Sequence, residues 1–147
     1  MHLVVAGDGP ERGALAARAT AEAPGRVAFV GVVPGARPVL AASDVLVLPS
    51  RTEGMPGVLI EAGLSGVPVV ASTVGGVPEV VADGETGVLV PPGDADALAA
   101  ALRRVLDDGG AVDGPMGRAG RERCLARFEI GVVAARWADI LSELSTG

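Results

Sequence analysis

The chain has 147 residues, 49% hydrophobic and 20% charged, a length and balance that fit one soluble globular domain built around one core. Its net charge of −6 argues against a nucleic-acid-binding surface, which needs a basic face to neutralise phosphates. The single cysteine, Cys124, and single histidine, His2, exclude an internal disulfide, a cysteine-based zinc cage and a Ser-His-Asp triad, so no resident metal is expected.

Short apolar runs alternate with helical patterns along the chain. His2 to Ala6 reads as a buried strand ending at Gly7-Asp8-Gly9-Pro10, and Glu11 to Ala23 as an Ala-rich helix stopped by Pro24-Gly25. Val27 to Val30 is a second strand, Pro38 to Ser43 a short helix, and Val45 to Leu48 a third strand closed by Pro49. Gly57 to Ser65 reads as a helix, Val67 to Ala71 as the fourth strand, and Gly87 to Val90 as the fifth. Runs apolar on both faces are what parallel strands covered by helices require. The repetition predicts an α/β fold with a doubly wound parallel sheet.

The last third is helical. Asp94 is placed to cap a helix whose face carries Leu98, Ala101, Leu102 and Val105. Gly109 to Pro115 reads as a loop and Met116 to Phe128 as a helix holding Cys124 as a small packed side chain. Ile130, Val133, Ala134, Trp137, Ile140, Leu141 and Leu144 mark a final amphipathic helix, with Trp137 expected in the core.

No signal peptide precedes the first strand, and the longest charge-free stretch, Ala62 to Pro78, is broken by Pro68, Gly75, Gly76 and Pro78. The expected location is cytoplasmic, with contact at the inner face of a membrane left open. Every basic side chain is Arg, and Lys, Asn, Gln and Tyr are absent, which points to a GC-rich, bacterial coding sequence.

In an open parallel sheet, ligands bind beyond the carboxyl ends of the strands, where strand order switches. The loops there, Gly7–Pro10, Gly31–Gly35, Pro49–Pro56 and Ser72–Glu79, hold the densest Gly and Pro. The most informative segment runs from Pro49 to Glu61, leaving a strand and opening a helix near Gly57. Helix amino ends attract phosphates, and Gly54 and Gly57 keep side chains out of the way. Glu53 lies just before the helix and Glu61 one turn inside it, with seven residues between them. Carboxylates repel phosphate but accept hydrogen bonds from paired hydroxyls such as those of a ribose or a hexose. One ligand would then set its diphosphate at the helix start and a sugar near each Glu. The competing reading makes Glu53 a helix cap and Glu61 a solvated helix residue.

At these residues the chain resembles the carboxyl-terminal, donor-binding domain of retaining GT-B glycosyltransferases of family 4, the group 1 glycosyl transferases. The matching stretches follow in order: Val4 to Pro10, Val27 to Pro34, Ala42 to Ser50 leading into Glu53 to Glu61, Gly66 to Ser72, Gly75 to Glu79, and Asp83 to Asp94. The resemblance implies that Glu53, the catalytic candidate, meets hydroxyls of the transferred sugar. It implies that the backbone of Gly54, Met55, Pro56, Gly57 and Val58 holds the diphosphate and sugar, that Glu61 holds the ribose, and that Val33 lies near the base. Gly7 and Gly9 join the donor site, while Gly75 and Gly76 shape its wall.

It further implies a nucleotide-diphosphate sugar as donor and no cofactor or metal. Transfer with retention would rely on fixed positive groups and amides to stabilise the leaving diphosphate. The family's domain begins earlier, with a strand and a phosphate-binding segment bearing Arg and Lys, and is joined by an amino-terminal acceptor domain. Both are expected to be missing here, to be supplied by a longer chain or a partner. Arg51 and Arg37 are the nearest substitutes for that cationic segment. The five strands would take the order 2-1-3-4-5, with apolar surface left exposed where the partner domain packs.

Four other readings compete. A nucleotide-binding module without transfer is favoured by the absent cationic segment. A sugar-nucleotide epimerase of the same architecture is disfavoured by the paired glutamates, and a phospho-receiver domain by the absence of Lys. A dinucleotide oxidoreductase is disfavoured because Gly7-Asp8-Gly9-Pro10 does not reach a third glycine at Gly-x-Gly-x-x-Gly spacing.

Overall fold

The computed structural model describes residues 1–107 and 112–145, so the expected loop Gly109–Pro115 lies partly outside the described residues. The chain divides into two compact units, Met1–Ala36 and Arg37–Gly147.

The first unit is β1 (Leu3–Ala6), α1 (Arg12–Glu22) and β2 (Val27–Gly31). β1 and β2 pair in parallel, Leu3 opposite Val27 and Val5 opposite Phe29. α1 packs on β2. One helix over two strands covers little surface. Leu3 and Val4 therefore stay 47% and 46% exposed, and the expectation of a strand buried on both faces fails at β1.

The second unit holds α2 (Arg37–Leu40), β3 (Leu46–Leu48), α3 (Gly57–Leu64), β4 (Val69–Ser72), α4 (Val77–Val80), β5 (Gly87–Val90), α5 (Ala95–Asp107), α6 (Pro115–Phe128) and α7 (Ile130–Ser145). β3, β4 and β5 form a parallel sheet in that order, with Leu48 opposite Ala71 and Ser72 opposite Val90. All four residues of the central β4 are buried. Val70, Val88 and Val90 point to one face, where Ala101 and Val105 of α5 complete a core flanked by Leu98, Leu102 and Met116. On this unit α3 also packs against β4, and α6 against β5 and α3. Burying a Val fully stabilises by about 1.5–3 kcal/mol, so this sheet anchors the unit.

The parallel α/β class agrees with the sequence reading, but the strands are distributed differently. The expected order 2-1-3-4-5 needs a ladder between β1 and β3. The hydrogen-bonded neighbours are β1 with β2 in one sheet and β3, β4 and β5 in another.

Two helical features were not legible. α4 is a one-turn helix that begins inside the expected Ser72–Glu79 loop and runs one residue past it. Trp137 is 60% exposed on α7 rather than in the core. Only Val132 and Val133 of α7 sink partway, and the helix is exposed from Ala134 onward. α3 and α6 approach closely because Gly63 has no side chain: a Cβ there would collide with the Cys124 Sγ.

Candidate donor site

Leu48 ends β3, and the chain turns through Pro49–Pro56 before α3 begins at Gly57. Pro56 is the residue before the helix, in extended conformation, and among the described residues no side chain caps this end. The first turn of a helix has N–H groups without intrahelical partners. Leu59 N–H donates to the Pro56 carbonyl at 3.1 Å, which leaves the Gly57 and Val58 amides for solvent or a ligand. The reading of Glu53 as the helix cap is therefore not what the structure adopts. Its carboxylate instead accepts a hydrogen bond from the Ser50 Oγ, at 2.6 Å to Oε1.

The loop backbone is held from across the sheet. Gly76 N–H donates to the Gly54 carbonyl at 2.7 Å. Gly75 sits at φ +49°, and a Cβ on it would collide with the Glu53 carbonyl; one on Gly76 would lie 2.5 Å from the Gly54 carbonyl oxygen. At Gly75 only glycine allows both the left-handed conformation and this approach, and at Gly76, with φ −80°, the close approach alone excludes a side chain. Gly75 and Gly76 thus carry the loop bearing Glu53, a more specific part than a pocket wall.

Glu53 is half-buried, Pro56 is buried, Val58 is half-buried, and Gly54, Met55 and Gly57 are exposed. Glu61 is the fifth residue of α3 and exposed. These seven residues fall within one continuous loop and helix of the second unit. Gly7, Gly9 and the half-buried Val33 belong to the first unit. Gly7, at φ +124°, donates its N–H to the Gly31 carbonyl at 2.7 Å. Gly9 donates to Asp8 Oδ1 at 2.8 Å, and Asp8 also meets Arg12 at 3.4 Å. Both amides are thus paired within the first unit. Arg51 and Arg37 are exposed.

A cavity of about 150 Å³ opens at the carboxyl ends of β3, β4 and β5, bordered by Pro49, Ser72, Val90 and the start of α5. None of the expected donor residues lines it. Among the described residues no group of three or more His, Cys, Asp or Glu could hold a metal ion, and no helix is long and apolar enough to cross a membrane.

Sequence reasoning missed Ser50 and the tie between Gly76 and Gly54. The first left a signal, a hydroxyl residue three positions before an acid, the spacing at which such side chains meet in a turn. The second joins segments more than twenty positions apart and left none.

Comparison with known proteins places this geometry in a family. The family model described as "Glycosyl transferases group 1" matches residues 1–108. The 2-deoxystreptamine glucosyltransferase of Streptomyces kanamyceticus is 37% identical over 147 aligned residues, covering 95% of this chain and 38% of the relative. The glycogen synthase of Mycobacterium tuberculosis is 42% identical over 98 residues, covering 67% and 23%. The chain therefore spans well under half the length of these relatives. Among solved structures, sucrose-phosphate synthase from Thermosynechococcus elongatus superposes with TM-score 0.85 at 36% identity, covering 99% of this chain and 39% of that one. Anabaena HepE in complex with UDP gives TM-score 0.88 at 26% identity, covering 97% and 41%. The architecture is the Rossmann-like domain of GT-B enzymes, and the chain belongs to the group 1 glycosyl transferases.

Proposed function

We propose that this chain binds a nucleotide-diphosphate sugar at the amino end of α3. With an acceptor-binding amino-terminal domain, it would transfer the sugar with retention of configuration. The observation that carries this reading is the uncapped first turn of α3, entered through a loop that presents Glu53. Free amides and the positive end of the helix dipole suit a diphosphate, and a carboxylate beside them suits sugar hydroxyls. Relatives solved with UDP and with UDP-glucose support a donor of this class.

In this reading the Gly57 and Val58 amides hold the diphosphate, Gly54, Met55 and Pro56 shape the approach, and Glu53 accepts from hydroxyls of the transferred sugar. Glu61 accepts from the ribose. Charge developing on the leaving diphosphate meets fixed amides that need no reorganisation, and the reaction proceeds without a metal ion.

Calorimetric titration of the chain with UDP-glucose, GDP-mannose, UDP and GDP tests this. One base should bind as both the diphosphate and the sugar nucleotide. Glu53→Gln should weaken the sugar nucleotide by about tenfold or more while sparing the diphosphate, the cost of losing a hydrogen bond to a charged acceptor. Glu61→Gln should weaken both. A chain that binds none of the four, or a Glu53→Gln variant that binds the sugar nucleotide as wild type does, would overturn the reading.

A further inference from the structure

We propose that Ser50 is a positioning residue that presets the Glu53 carboxylate for the donor sugar, an inference that rests on the donor-binding role given to Glu53 above. Ser50 Oγ donates to Glu53 Oε1 at 2.6 Å, in a half-buried setting. A serine hydroxyl has one proton to donate, and a carboxylate has two oxygens with about four acceptor positions. The contact therefore occupies Oε1 once and leaves Oε2 to accept from a ligand.

Both ends of this contact are anchored. Ser50 stands two residues after Leu48, which pairs with Ala71 in the β3–β4 ladder. The backbone under Glu53 is held by the bond from Gly76 N–H to the Gly54 carbonyl, 2.7 Å long, and by the close approach of Gly75. With backbone and hydroxyl both fixed, the flexible Glu53 side chain is confined before any ligand arrives. A side chain ordered in advance does not have to be ordered on binding, and affinity rises accordingly. The same bond limits the directions in which Glu53 can accept, so Ser50 also selects which hydroxyl geometry is read.

The test pairs a ligand-free measurement with a ligand-dependent one. Three-bond carbon couplings along the Glu53 side chain, read by NMR on protein labelled at Glu, should report one dominant rotamer in wild type and Ser50→Thr. Averaging is expected in Ser50→Ala. By calorimetry, Ser50→Ala should weaken UDP-glucose roughly two- to tenfold, leave UDP unchanged, and be rescued by Ser50→Thr. In a Glu53→Gln background it should cause no further loss. An unaltered Glu53 rotamer in Ser50→Ala overturns the proposal, as does an equal loss of UDP-glucose affinity with and without the Glu53 carboxylate. If wild type binds neither UDP-glucose nor UDP, the donor-binding role falls and with it the purpose assigned to the contact. The couplings still decide whether Ser50 holds Glu53.

Discussion

The Cys124 thiol sits in α6 against Gly63 of α3, with 2% of the residue exposed. Burial pushes it above its ordinary value of 9.0, and the nearby Arg123 guanidinium opposes the shift. In the folded chain it stays protonated at a pH where the unfolded chain has already ionised. Stability is therefore unaffected well below pH 9.0 and falls as pH rises through it. The chain has no Lys and no Tyr, so no other side chain has its ordinary value in this window. The urea midpoint of wild type should drop between about pH 8.5 and 10.5, while that of Cys124→Ala should be flat over the same range. Equal slopes in the two proteins would refute the assignment.

The donor segment shows what was legible at this same scale. A strand exit, an acid, two glycines and a helix start are local properties, and they suffice to put Glu53 in the loop before α3 and Glu61 inside the helix. What the acid touches is not local. The choice between capping α3 and bonding Ser50 depended on how the loop folds back, and the bond from Gly76 to Gly54 depended on two strand ends lying side by side.

α4 makes the corresponding point for elements. Four residues containing Pro78 cannot sustain a helix alone, because nucleation fixes several residues for a single hydrogen bond. The turn is held from outside. Arg123 of α6 donates from Nε to the Val80 carbonyl at 2.9 Å and from Nη2 to the Glu79 carbonyl at 3.0 Å. These partners are 43 and 44 positions away, beyond the reach of any local pattern. Arg123→Met keeps much of the side chain's length and removes both donors. It should lower stability by about 1–3 kcal/mol and loosen the Val77–Val80 amides, read by denaturant unfolding and hydrogen exchange. A variant as stable as wild type, with unchanged exchange there, would show that α4 stands without this support. α5, by contrast, was readable because its cap is local: Asp94 Oδ1 accepts the Ala97 N–H at 2.8 Å.

For the molecule as a whole, burial is unequally shared. Every residue of β4 is buried, whereas β1 shows three exposed residues and one half-buried. Exchange protection follows the burial and cooperativity of the unit an amide belongs to. The amides of Val69–Ser72 should therefore exchange at least about tenfold more slowly than those of Leu3–Ala6. Similar rates would mean that the two units open together. α7 adds to the imbalance, with Trp137, Ile140, Leu141 and Leu144 at 60%, 46%, 57% and 75% exposure. These four positions fall at helical spacing and form one exposed apolar stripe.

By itself, the sequence determined the type and approximate span of nearly every element, the parallel α/β class, and the loop and helix that carry the candidate donor residues. These follow from hydrophobic period, turn chemistry and capping, which act within a few residues. Tertiary structure alone decided which strands share a ladder, that α4 exists, that Trp137 faces outward, and that Glu53 is held by Ser50 over a glycine turn. Each of those depends on which distant groups meet to exclude water or satisfy a polar atom, and a local pattern does not encode such meetings.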